Sequence, residues 1–152
     1  MSKPKTKTDF SCGVIPIRNR KSIREYLLVQ HRAGHWAFPK GHPEKKENPI
    51  QTAIRELKEE TGLVATSLIE NPAFEEHYVF TKRSGKVIEK TVTYYIGRIA
   101  TDAALVLQEE EVANAQWGDA TATAALMTFD AGLRLLDEVE AWLLKEDGFI
   151  TP

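Results

Sequence analysis

Cysteine is nearly absent from this chain: Cys12 stands alone among 152 residues. A single thiol excludes any disulfide within the chain and fits a reducing, cytoplasmic setting. Long hydrophobic runs are missing too, and none approaches the ~20 residues that a membrane-spanning helix needs. Residues 1–9, MSKPKTKTD, are basic, yet no apolar targeting segment follows them. They are expected to form a flexible, solvated tail before a single domain over residues 10–152. An excess of one charge is lacking as well. Lys and Arg total 20 against 22 Asp and Glu, a formal net charge of -2, so nothing draws the whole chain to nucleic acid or to an anionic membrane. Neither is expected as a partner.

What is present suffices for one core: 42% of the residues are hydrophobic and 28% charged, a mix that does not separate an enzyme from a binding module. The pattern alternates between strand and helix. Residues 12–17 (CGVIPI) and 25–30 (EYLLVQ) read as a hairpin, with Pro16 suggesting an edge or a bulge. A short extended piece at 36–38 leads into a charged loop at 41–47. Asn48 can cap a helix that Pro49 opens, Gln51 sits where a capping-box partner would, and Gly62 supplies the stop. Ile50, Ala53, Ile54 and Leu57 form the helix's apolar stripe.

Further on, residues 64–69, 74–82 and 87–99 are candidate strands, the last two forming a long hairpin around Ser84-Gly85. Within the last of them, Val92, Tyr94 and Ile96 face one way, Thr93 and Tyr95 the other. A loop over 101–111 precedes a short strand at 113–117. Helices are expected at 121–126 and 131–145, the second burying Leu133, Leu136, Val139, Leu143 and Leu144. No repeat or linker interrupts this α+β order.

The stretch from Trp36 to Leu63 carries the chemistry. Glu56, Glu59 and Glu60 lie at i, i+3 and i+4, one face of the helix. They occupy its last turns, where the dipole disfavours an anion by roughly 0.3–1 kcal/mol each. The i,i+4 pair of like charges adds a few tenths more. A bound hard cation relieves both, and oxygen-only ligands suit Mg²⁺ or Mn²⁺. A plainly solvated acidic face is the commoner reading of three such acids taken alone. The pair His31 and His35 does not suggest a zinc helix, because Gly34 intervenes and the glutamate of such a motif is missing.

The spacing around these acids resembles the Nudix hydrolases. Gly41, five residues, Glu47, seven residues, then Arg55-Glu56-Leu57-Lys58-Glu59-Glu60-Thr61-Gly62-Leu63 reproduce that family's box, nine fixed positions over 23 residues. The resemblance runs from Phe10 to about Leu144. It implies an α/β/α sandwich around a mixed sheet and cleavage of a nucleoside diphosphate linked to another group. It also implies metal binding by Glu56, Glu59, Glu60 and the carbonyl of Gly41, with Glu47 and Arg55 as a structural ion pair. Glu56 and Glu60 are the catalytic carboxylates of the box, Glu56 being the expected general base. Glu111 matches an outlying acid that reaches the metals or serves as the base in some members; Glu110 is its neighbouring candidate.

Outside the box, SCGVIPI, HWAFPKGH and KTVTYY, with Phe129 after Trp117, resemble the asymmetrical diadenosine tetraphosphate hydrolases of that family. The resemblance implies His35, Lys40, His42 and Lys90 as polyphosphate contacts, and Tyr94 with Phe129 as an adenine sandwich. The substrate is then a small nucleotide. RNA 5′-pyrophosphate, nucleotide sugars and inositol pyrophosphates are the rival substrates. A non-catalytic nucleotide sensor on the same scaffold is the rival of another class, although degenerate members of that kind usually lose box acids, and every one is kept here.

Overall fold

The computed structural model describes residues 6–146. Residues 1–5 of the expected tail, and the last six of the expected domain, lie outside them. The tail ends sooner than expected: Thr6 to Asp9 already belong to strand β1 (Thr6–Arg20), paired residue for residue with Val87 to Lys90. Lys and Asp disguise the strand in sequence; pairing to a long neighbour builds it.

The other strands are β2 (Ile23–His31), β3 (Trp36–Ala37), β4 (Lys40–Gly41), β5 (Ser67–Leu68), β6 (Phe74–Thr81), β7 (Val87–Arg98) and β8 (Val112–Gly118). They form one mixed sheet with the path β3-β2-β1-β7-β5, to which β4, β6 and β8 add by pairing with β1, β7 and β2. The β1–β7 ladder is parallel and runs from Thr6 to Ile17; the other pairings are antiparallel. Strand alternation then sorts the core into two layers. Ile15, Ile17, Tyr26, Leu28, Val92, Tyr94 and Ile96 face one side, under helices α2 (Ala120–Leu126) and α3 (Asp130–Lys145). Val14, Leu27 and Tyr95 face the other, under α1 (Pro49–Thr61). The result is the expected α/β/α sandwich.

Pro16 is on neither an edge strand nor a bulge. It lies inside β1, between the residues that pair with β4 (Cys12, Gly13) and those that pair with β2 (from Ile17). There a missing N–H costs no ladder bond to either. The strand expected at 64–69 shrinks to Ser67–Leu68. Ile54 is 41% exposed and Leu144 is 75% exposed. Each sits at the rim of its helix's apolar arc; Thr52 and Leu135 are buried in their stead.

The ends of α1 fix the region of interest. Asn48 accepts from the Gln51 amide at 2.8 Å and Gln51 accepts from the Asn48 amide at 3.0 Å, a complete capping box. At the far end Gly62 adopts φ 76° and donates to Lys58, satisfying a carbonyl that the helix leaves unpaired. The 101–111 loop docks on the same end, where the amides of Val106 and Gln108 bond the carbonyls of Thr61 and Glu60 at 2.8 and 3.3 Å. A Cβ on Gly62 would lie 2.9 Å from that of Val106. Gly62→Ala is expected to lower stability by about 1–2 kcal/mol from left-handed strain alone, with more from displacing the loop. A urea-unfolding midpoint unchanged from wild type would contradict it.

Candidate active site

Strand β4 and helix α1 bring Gly41 and Glu56 into contact. A Cβ at position 41 would collide with the Glu56 carboxyl, so any other residue would push that carboxyl aside. Arg55 braces the loop against the helix. Its Nε and Nη2 donate to both Glu47 oxygens at 2.7 and 3.0 Å. Its Nη1 donates to Glu56 at 2.9 Å and Glu59 at 3.0 Å, and Nη2 also reaches the His42 carbonyl at 2.8 Å. This fork geometry is particular to arginine. Glu47 is pulled from 4.5 to about 2, chiefly by its hydrogen bonds from Arg55, and Arg55 is held above its usual value by the same bonds.

Glu56 and Glu60 are shifted the opposite way. Burial raises the Glu56 carboxyl above its ordinary range, with Glu59 and Glu111 adding repulsion and Arg55 opposing. Glu60 is 1% exposed, and burial followed by the charge of Glu56 pushes it up to about 8, against the pull of Lys40. Its Oε2 is buried without a hydrogen-bond partner, an arrangement that costs free energy unless something else completes it.

These groups line one cavity of about 430 Å³, together with Glu111, Lys40, His42 and His31. Gly41, Glu56, Glu59, Glu60 and Glu111 thus meet as expected. Among the described residues, no three carboxylates or imidazoles stand in an ion-holding arrangement; Arg55 bonds oxygens of Glu56 and Glu59. Glu111 is placed by its backbone, whose carbonyl accepts from the Arg32 amide at 3.0 Å. Glu110 is exposed and does not line the cavity.

A second, narrow cleft of about 30 Å³ adjoins the cavity, and Lys40 lines both. The cleft is walled by His35, Trp36, Phe38, Tyr78, Met127 and Phe129, with Glu76 beside them. His35 and Phe129 approach to 5.5 Å between ring centres, and Phe129 is 53% exposed. The His31 ring stacks on His35 at 4.3 Å. Burial lowers the pKa of both imidazoles, His31 to about 4.

Three expectations change. Tyr94 is fully buried, its ring edge-on to Phe38 at 5.9 Å, so it is core and cannot stack on a base. Tyr78 stands in the cleft in its place. The alternation Phe74, Glu76, Tyr78, Phe80 along β6 was the available signal, since those side chains share a face. Lys90 does not line the cavity: it is 5% exposed and its Nζ donates to Asp9 at 2.8 Å and Ser11 at 2.7 Å. Asp9, assigned to the tail by sequence, also holds His42 Nε2 at 2.9 Å. A carboxylate at the start of β1 therefore tethers two of the expected phosphate-binding side chains.

The family model for the NUDIX domain matches residues 7–136, and the chain belongs to the Nudix family of hydrolases. The asymmetrical bis(5′-nucleosyl)-tetraphosphatase of Rattus norvegicus is 36% identical over 114 residues, which cover 68% of this chain and 74% of that enzyme. A solved structure of a C. elegans Ap4A hydrolase binary complex superposes with a TM-score of 0.75 at 26% identity, covering 90% of this chain and 98% of that one. The m7GpppN-mRNA hydrolase of Saccharomyces cerevisiae is 37% identical over 70 residues, 43% of this chain but 7% of its own length.

The depressed Glu47 gives a pH prediction. A carboxylate whose folded pKa lies below its unfolded one stabilises fully above pH 4.5 and loses that contribution as pH falls through about 2. Glu47→Gln should be less stable than wild type at neutral pH, and the two should converge as pH falls toward about 2. Thermal unfolding across that range checks it; equal stability at neutral pH would contradict the brace.

Proposed function

We propose that the protein hydrolyses dinucleoside polyphosphates asymmetrically, diadenosine tetraphosphate to ATP and AMP, in a reaction that depends on Mg²⁺ or Mn²⁺. The observation that carries this reading is that an acid-lined cavity and an aromatic cleft share one lining lysine, Lys40. A ligand spanning both has a flat base at one end and a polyphosphate at the other.

The residues fit a hard divalent cation. The donor set is all oxygen, and the unpartnered Glu60 Oε2 is a buried lone pair in need of a cation. Glu56, Glu59, Glu60, Glu111 and the Gly41 carbonyl would hold it. When bound, such a cation neutralises phosphate oxygens and lowers the pKa of water. Glu56 is assigned as the general base: burial makes its carboxylate more basic than an exposed one, and its place against Gly41 sets its aim. Glu111, reaching in from the loop, is the second acid able to take the proton. Lys40 and His42 counter the phosphate charge directly, Lys90 from behind the wall. Tyr78 and Phe129 would stack on the base, worth roughly 1–3 kcal/mol, with the exposed Phe129 ring turning aside to widen the cleft.

The RNA 5′-pyrophosphate reading finds support in the likeness to the yeast mRNA hydrolase, confined to 43% of the chain. Diadenosine tetraphosphate, triphosphorylated RNA, ADP-ribose and a nucleotide sugar should be offered in parallel and the products separated. ATP and AMP from the dinucleotide, with Mg²⁺ and not with EDTA, are expected. Rapid turnover of another substrate and none of the dinucleotide would overturn the substrate; no metal-dependent turnover of any would favour a sensor. Glu60→Gln should cut turnover at least about 100-fold, yet raise the melting temperature in EDTA at neutral pH, because a carboxyl that burial pushes up to about 8 gives up its ionisation on folding and glutamine does not. A variant with full activity would refute the metal role.

A further inference from the structure

The aromatic cleft contains a carboxyl that the reaction above does not use. Glu76 projects from β6 on the same face as Tyr78, and its Oε2 lies 3.6 Å from the place a Cβ on Gly132 would take, beside the first turn of α3. It is the only carboxyl, among the described residues, lining the cleft. Among the described residues it accepts no hydrogen bond and forms no ion pair. Its pKa is raised by burial, while the charges of Lys40, Arg134 and Lys90 favour its ionised form. A structural role as counter-ion to α3 would be expected to show a bond to that helix's free amides, and none is made; the Gly132 and Leu133 amides turn instead to the Phe129 carbonyl.

An ionised carboxyl only accepts hydrogen bonds, and leaving it unmatched against a ligand costs binding. Lys40 marks the phosphate end of the cleft, because it also lines the acid cavity. A base stacked between Tyr78 and Phe129 therefore has Glu76 as the carboxylate available to its polar edge. Guanine shows two adjacent donors there, N1–H and the N2 amino group. Adenine shows one donor, the N6 amino group, beside the acceptor N1, which would face a carboxylate lone pair.

Resting on the dinucleotide reading above, we propose that Glu76 is a specificity-determining residue that reads the edge of the stacked base and favours guanine over adenine. Both dinucleotides are hydrolysed, with diguanosine tetraphosphate preferred.

The test is kcat/KM for diguanosine and diadenosine tetraphosphate with wild type, Glu76→Gln and Glu76→Leu. Wild type is expected to favour the guanine substrate by about 5- to 100-fold, the value of one bidentate base contact. Glutamine offers a donor and an acceptor that match adenine, so Glu76→Gln should shift the ratio toward adenine, and Glu76→Leu should bring it close to one. A wild-type ratio of one, or a ratio that the Gln variant leaves unchanged, overturns the proposal while the dinucleotide activity stands. Turnover of neither substrate by wild type overturns both. The wild-type ratio does not require any variant to fold.

Discussion

The guanidinium of Arg55 is the interaction on which the site depends. Glu47, Glu56 and Glu59 converge on it from a loop and from a helix, and without a cation among them three carboxylates would repel one another across a partly dry cavity. Arg55 also bonds the His42 carbonyl, so the loop that follows Gly41 is held to α1 by the charge that keeps the acids together. Lysine would lack the second and third donors in this fixed fork.

The rest of the fold supports that arrangement at some cost to its own stability. Glu60 is buried with an unpartnered oxygen, and Glu56 and Glu60 are both harder to ionise than free carboxyls. A scaffold that tolerates this needs a firm frame elsewhere. The long parallel β1–β7 ladder, buried on both faces from Ser11 to Ile17, provides it. Functional sites concentrate such strain because the same groups become favourable once a cation is bound.

Local chemistry was the legible part of the sequence. Asn48, Pro49, Gln51 and Gly62 announced both ends of α1, because capping depends on neighbours a few residues apart. The acids of that helix were legible for the same reason: rotation along a helix fixes which of them share a face. What sequence spacing missed depends on pairing between distant strands. Asp9 looked like tail because nothing near it shows that it pairs opposite Lys90. Tyr94 was a stacking candidate because KTVTYY resembles a family strand, and that resemblance does not reveal that this face of β7 packs into the core with α3. Tyr78 opposes Lys90 in the β6–β7 register, and that register assigns it to the cleft. Residues 64–69 have strand-like composition, yet only Ser67–Leu68 find a partner in β7.

On the proposed reading, the acids around Gly41 form the seat of a divalent cation. Titration of Mn²⁺ into substrate-free protein, followed by the loss of the free-ion electron paramagnetic resonance signal, tests it without recourse to turnover. Wild type should bind the ion, and Glu60→Gln should bind it at least about tenfold more weakly while remaining folded. Equal binding by both proteins, or none by either, would contradict the account.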